Sequence, residues 1–349
     1  MSRRDARWLN STVLGIGLAS LFSDWSHEIA TAAMPAFLAS LGVSAAWLGT
    51  IEGVSDGLSS FAKMASGFYT DKLARRKPIA VAGYVGTAIA TASFAFANNA
   101  WHVLLARATG WFSRGFRTPV RKALLAAAVA PEAYGRAFGL ERAMDTTGAI
   151  IGPLSALLIL QLTGHNFRLL FAWTLVPGLL AAGVILFLVN ERKRTAVPHI
   201  SFGERLRLLP RNYRKFLAAV GLFGAGDFSH TMLILLATQR LMPSFGLVRA
   251  TSAGVLLYVL HNIFYASFSF VAGWLADRFR KNQVLAAGYG LAGVMTLLII
   301  FLPATIWILA LVFVLGGIYI APKKRWKTRF ARNWSTPVTM GWHSVFWRR

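Results

Sequence analysis

Several carboxylates and guanidiniums of this chain sit inside long apolar stretches, where an ionic group is out of place. Asp24 and Glu28 stand four residues apart, one helical turn, and so share a face. Glu52, Asp56 and Lys63 repeat at spacings of 4 and 7 and form one stripe. Arg107, Arg114, Arg117 and Arg121 fall within about 80° of each other at 100° per residue. Glu141, Arg142 and Asp145 cluster further on. Asp227 lies one turn from His230, beside Gly224 and Gly226, and His261 adjoins Asn262. Of the 13 acidic residues, Asp24, Glu28, Glu52, Asp56, Glu141, Asp145 and Asp227 fall within apolar stretches. Placing an Asp, Lys or Arg at mid-bilayer costs about 2.5–3.5 kcal/mol on insertion scales. Such groups must therefore face a polar interior or each other.

The chemistry open to this set is proton exchange. A carboxylate in low dielectric holds its proton, and an approaching guanidinium makes it let go. Asp24 or Glu28 is the candidate proton carrier, with Arg107 as its modulator. Glu52, Asp56 and Arg114 belong to the same translocation set. Asp227, His230, His261 and Asn262 are candidates for the wall of a substrate cavity, although an intramembrane His is at least as often a packing residue. The plainer alternative is structural ion pairing, for example helix-2 acids against helix-4 arginines. On that view Arg117, Arg121, Glu141 and Arg142 reach headgroups at the cytoplasmic ends.

Ten apolar spans must position these residues: 11–40, 46–69, 78–98, 101–123, 137–161, 167–189, 214–240, 249–274, 283–301 and 304–321. Each is long enough, or nearly so, for the roughly 20 residues a bilayer crossing needs. A 349-residue chain that is 56% hydrophobic and 14% charged is no soluble globule. Its net charge of +24 reads as positive-inside bias and not as a nucleic-acid surface. Basic loops at Ser2–Arg4, Lys72–Lys77, Arg121–Lys122, Glu191–Lys215 and Arg278–Lys281 alternate with loops nearly free of Lys and Arg. This pattern predicts a multi-pass inner-membrane protein with a cytoplasmic N-terminus. The first span lacks a cleavage pattern, so no removable leader is expected. Without cysteine there is no disulfide framework, and no nucleotide fingerprint or metal-ligand cluster appears; no cofactor and no enzymatic activity are expected.

The chain also repeats. Gly67-Phe68-Tyr69-Thr70-Asp71-Lys72 matches Gly273-Trp274-Leu275-Ala276-Asp277-Arg278 at an offset of 277 − 71 = 206. Ala82-Gly83-Tyr84 matches Ala287-Gly288-Tyr289 at 288 − 83 = 205. Two pseudo-equivalent halves are implied. On these residues the chain resembles a major facilitator transporter. Gly67, Asp71, Arg75, Arg76 and Lys77 are similar to that family's signature between helices 2 and 3. Gly273, Asp277, Arg278 and Arg280 form its weaker copy. The resemblance implies a cytoplasmic gate latch there; the bland reading is a basic loop. Arg107, Thr109 and Gly110 resemble the Arg-bearing helix-4 motif associated with proton coupling. Gly148, Gly152 and Pro153, with Asp145 nearby, resemble the helix-5 motif usual in exporters, or are simple packing residues. The wording around Asp24 to Pro35 and Arg114 to Arg121 looks like an exporter-like bacterial and archaeal branch. Lys122 stands where that branch usually has Asp.

The resemblance implies an all-α major facilitator fold. It would comprise a six-helix bundle over 1–190, a basic cytoplasmic linker over 191–213 with an amphipathic helix at Phe202–Leu209, and a second bundle of about four helices over 214–321. Residues 322–349 are basic and lose the apolar period, and are expected to be out of frame. Read one base earlier, the same DNA can encode an apolar continuation, and the coding sequence past Ile320 checks this. The function implied is proton-coupled export of a small organic solute by a monomer in the lipid bilayer, with no nucleic-acid partner. Uptake of an anionic metabolite, and an inactive or non-transporting membrane protein, are the alternatives.

Overall fold

A computed structural model describes residues 8–70, 75–191, 211, 229–278, 281–303 and 305–334; the side chains of 68–70, 269–278, 281–286, 289 and 321–334 are not described. Its helices are α1 (Ser11–Ser40), α2 (Ala45–Thr70), α3 (Lys77–Ala92), α4 (Ala100–Ala127), α5 (Tyr134–Leu162), α6 (Phe167–Trp173), α7 (Leu175–Leu188), α8 (His230–Arg278), α9 (Lys281–Phe301) and α10 (Ile306–Trp334). No strand occurs among the described residues.

Local chemistry sets the helix starts. Asn10, Asn99 and Asn166 each accept from the backbone N–H three residues on, in Val13, His102 and Leu169. Such an Asn cap contributes about 1 kcal/mol. For α3 the cap comes from afar. The Glu191 carboxylate accepts from the backbone N–H groups of Arg76 (2.6 Å) and Lys77 (2.9 Å), beside a proline in the first turn. A carboxylate at a helix N-terminus also meets the positive end of the helix dipole.

Two spans differ from their sequence outlines. The 167–189 span is two helices, α6 and α7, broken at Thr174, whose carbonyl accepts from the Ser26 hydroxyl at 2.8 Å. The spans ending at 240 and beginning at 249 run together in α8 across a kink at Gly246, whose φ of 72° is not helical. Only glycine takes that conformation cheaply. By length and composition, Lys77–Phe96, Pro131–Leu162, Phe167–Leu188 and His230–Phe268 could each cross a membrane, and Gly290–Phe301 and Ile306–Ile320 are shorter apolar helices.

Close packing depends on small residues. A Cβ on Gly148 would lie 2.3 Å from the Leu21 carbonyl oxygen, and one on Gly152 would lie 2.6 Å from Cβ of Glu28, so α5 rests directly on α1. The repeat reappears in packing. A Cβ on Gly115 of α4 would lie 2.5 Å from the Ser59 carbonyl oxygen of α2, and one on Gly317 of α10 would lie 2.4 Å from the His261 carbonyl oxygen of α8. Both pairs are offset by 202 (317 − 115 and 261 − 59).

The halves share one apolar core. Ile29 to Leu38 of α1 and Leu48 and Ile51 of α2 pack with Leu233 to Leu241 of α8 and Leu309 to Phe313 of α10. A second core, around Ile16, Tyr84, Leu125 and Ile185, lies within the first half.

Candidate functional site

A cavity of about 620 Å³ lies between the halves, lined from the first by α1, α2, α4 and α5 and from the second by α8, α9 and α10. It sits on the Asn10 side of the shared apolar core. On α1 the lining residues are 24–31 and the sealing ones 29–38; on α4 they are 107–114 and 103–104; on α5, 142–149 and 156–160. The same order holds on α8 and α10.

The ionic residues of the first half converge here. On α4, Arg107 donates to Oε1 of Glu52 at 2.9 Å and lies 3.4 Å from Thr31 Oγ1; both charged partners are only 4% exposed. One turn on, Arg107 and Arg114 flank the Trp111 ring at 5.5 and 5.8 Å, and His27 meets that ring edge-on at 5.1 Å. Arg114 is bonded to the Asp24 carboxylate, and Arg142 to Asp145 at 2.8 Å. Guanidinium–carboxylate pairing of this kind allows ions to sit at bilayer depth. The sequence placed Arg107 beside Asp24 or Glu28; the geometry instead gives Arg107 to Glu52 and Arg114 to Asp24.

Glu28 is the exception. Among the described residues it has no cation within ion-pair distance. Its carboxylate accepts a 2.8 Å hydrogen bond from the Tyr258 hydroxyl, across the divide between the halves. The Asn262 amide makes a second crossing, donating to the Ala149 carbonyl at 2.9 Å. His230 and His261 complete this wall with ring centres 4.7 Å apart, each within 6 Å of the Tyr258 ring. Asp56 also lines the cavity.

The outer arginines do not reach outward. Arg117 is 3% exposed, bonded to Ser23 and seated over the Tyr84 ring at 3.7 Å. Arg121 pairs with Glu141 at 2.6 Å and donates to Ser20 at 2.7 Å. Buried guanidiniums need partners, and α1 supplies small hydroxyl side chains for them. Only Arg142, with a side chain 41% exposed, keeps an open face.

Of the gate-loop residues, Gly67 lies on α2, Arg75 and Arg76 precede α3, and Lys77 opens it; Arg76 is buried. Gly273, Asp277 and Arg278 lie on the last turns of α8, without described side chains. Asp71, Arg280, Asp227 and the Phe202–Leu209 segment fall outside the described residues. Among those described, no cluster of His, Asp and Glu could hold a metal ion.

Sequence reading missed His27, Trp111, Tyr258, Tyr265 and Tyr319, all of which line the cavity. A signal existed for His27. Asp24-Trp25-Ser26-His27 repeats as Asp227-Phe228-Ser229-His230 at an offset of 230 − 27 = 203. The tyrosines carry no such mark and resemble any membrane aromatic.

The sequence profile of the Major Facilitator Superfamily matches residues 16–322. An uncharacterised MFS-type transporter of Methanocaldococcus jannaschii is 28% identical over 294 residues, covering 83% of this chain and 72% of that protein. The multidrug resistance protein MdtH of Shigella boydii is 25% identical over 248 residues, covering 69% of this chain. The chain spans only 59% of MdtH. In fold, a bacterial homologue of the human lysosomal transporter Spinster, in an inward-facing and occupied conformation, superposes with a TM-score of 0.69 at 17% identity, covering 99% of this chain and 78% of that one.

Proposed function

Because the chain belongs to the Major Facilitator Superfamily, we propose that it is a proton-coupled exporter of a small organic solute, working by alternating access from the cell inner membrane. One observation carries the reading: a cavity between two pseudo-equivalent halves is lined by carboxylates and guanidiniums, one of which, Glu28, is tied across the divide. The likeness to MdtH supports export.

Glu28 is the proton carrier of choice. Asp24 is held by Arg114 and Glu52 by Arg107, so a proton arriving at either must compete with a guanidinium. Glu28 has only a phenol to lose. Protonating it removes the charge that Tyr258 serves and loosens a hydrogen bond joining the halves near the cavity. The charged groups that bear on it are Asp24 on its own helix and Arg107 and Arg114 on α4. Arg142 and Asp145 of α5, and His230 and His261 of α8, face the same space.

With the N-terminus cytoplasmic, as loop charge predicts, the cavity would lie on the cytoplasmic side of the apolar seal and receive solute from within. The gate loop at Arg75 to Lys77, capped by Glu191, would close that side. The working unit is a monomer, since each chain carries its own cavity.

The test is flux in proteoliposomes. Neutralising the true carrier abolishes proton-driven flux and preserves solute exchange. Intact proton coupling in both Asp24→Asn and Glu28→Gln would overturn the proposal.

A further inference from the structure

We infer that the substrate is a monocation bearing a neutral hydrogen-bond acceptor, such as a protonated amine with a carbonyl or ether oxygen; this rests on the transport reading above. Charge balance sets the sign. Asp24, Glu28, Glu52, Asp56 and Asp145 line the cavity against Arg107, Arg114 and Arg142, five carboxylates to three guanidiniums. Lys63, seven residues from Asp56 on α2, is not part of the wall; counting it still leaves one negative charge in excess. Among the described residues, the second half supplies no Lys or Arg to the lining. At the 202-residue offset, Leu309 and Gly316 stand where the first half has Arg107 and Arg114. Each guanidinium of the wall is bonded to a carboxylate, whereas Glu28 has only the Tyr258 hydroxyl. An incoming anion would meet only guanidiniums whose charge is already paired. An incoming cation finds Glu28 ready.

The walls suit such a guest. Tyr258 and Tyr319 line the space beside Trp111 and Tyr265, whose rings already meet Arg107, Arg114 and Arg142, and aromatic faces attract cations. A cavity of about 620 Å³ holds an organic molecule of drug size.

The neutral oxygen follows from three donors. Nε of Arg107, Nε1 of Trp111 and Nη1 of Arg114 are buried without a protein acceptor. They lie at i, i+4 and i+7 on one face of α4, and Arg107 is only 4% exposed. All three can only donate. A buried donor left unmet is costly, so the occupant is expected to bring an acceptor. The charge balance makes that acceptor neutral. Glu28 then takes either a proton or the substrate's cation, and the two exchange one for one.

Equilibrium binding to the full chain in lipid nanodiscs, with no pH gradient, tests the class. The probes are procainamide (amine and amide), tetraphenylphosphonium (cation without acceptor) and hippurate (anion with amide). Both cations are expected to bind and hippurate to fail. Glu28→Gln should weaken both cations by about tenfold or more, and Glu28→Asp should keep them bound. Trp111→Phe keeps an aromatic face and loses the donor, so it should weaken procainamide by about threefold to tenfold and tetraphenylphosphonium less. Hippurate binding where neither cation does, or unchanged procainamide affinity in a monodisperse Glu28→Gln, overturns the inference. Proton movement driven by hippurate in vesicles would then leave the transport reading standing. Cation binding with no proton movement would instead remove the coupling and keep the substrate class.

Discussion

Glu52 and Arg107 face each other between α2 and α4 at 2.9 Å, both almost fully buried. Removing one partner of such a pair strands the other, at about 3–5 kcal/mol. Arg107→Ala should therefore lower the thermal stability of the detergent-purified chain by that order. The double change Glu52→Gln with Arg107→Gln should cost less than the two single changes together, because no lone charge is left. Additive losses in the melting experiment would mean that the pair is not coupled. Arg117 offers a different case. Its guanidinium lies over the Tyr84 ring, a geometry a point charge serves less well, so Arg117→Lys is not conservative here. It should destabilise by about 1 kcal/mol on the same assay. Helical spacing made the shared face of these arginines legible, and the alternative of helix-2 acids against helix-4 arginines is met by Glu52 and Arg107. That Arg114 finds Asp24 was not legible, since it depends on how α1 and α4 are rotated. Burial of Arg117 and Arg121 was misread for the same reason: their nearness to a loop in sequence hid the hydroxyls of Ser20 and Ser23 waiting on α1.

At the scale of helices, contact is decided by where side chains are missing. α5 lies so close to α1 that any Cβ on Gly148 enters the Leu21 carbonyl. Gly148→Val should force the pair apart and cost about 1–3 kcal/mol. Gly317→Val should do the same between α8 and α10. Gly139, on the open face of α5 with nothing near its missing Cβ, is the control. Gly139→Ala should be neutral or raise stability by up to about 1 kcal/mol, since alanine is the better helix former. Melting temperatures of the three variants separate close packing from propensity; equal shifts in all three would refute the packing account. The apolar period gave helix ends within a few residues for most spans, because hydropathy and the Asn caps act locally. It left the turn at Gly246 between the spans ending at 240 and beginning at 249, but did not give the break at Thr174. That break occurs inside an apolar stretch, where composition is constant and only tertiary contact distinguishes one residue from the next.

For the whole molecule the question is which end of the cavity opens, and what resists it. The shared apolar core closes the end toward Ser40. Hydrogen bonds cross between the halves beside the cavity, among them Tyr258 to Glu28 and Asn262 to the Ala149 carbonyl. The duplicated loop at Asp71 and Asp277 announced the two halves before any coordinates, as repetition leaves a mark in any sequence. These crossings left none, because Tyr258 and Asn262 have no counterpart motif and their partners are more than 100 residues away. If the crossings hold the closed end, removing them should populate its opening. A net hydrogen bond contributes about 0.5–1.5 kcal/mol, so losing two should shift the equilibrium by roughly fivefold or more toward the open end. The chain has no cysteine, so spin labels can be placed at will. Leu158 on α5 and Leu256 on α8 are both more than half exposed, lie near the closed end, and belong to opposite halves. Between labels at these sites the unaltered chain should give a short, narrow distance distribution. Tyr258→Phe combined with Asn262→Leu should add a longer component, and lowering the pH should add the same component to the unaltered chain by protonating Glu28. If the double variant keeps the single short distance, the apolar core alone closes the molecule and the Glu28 link plays no part in its opening.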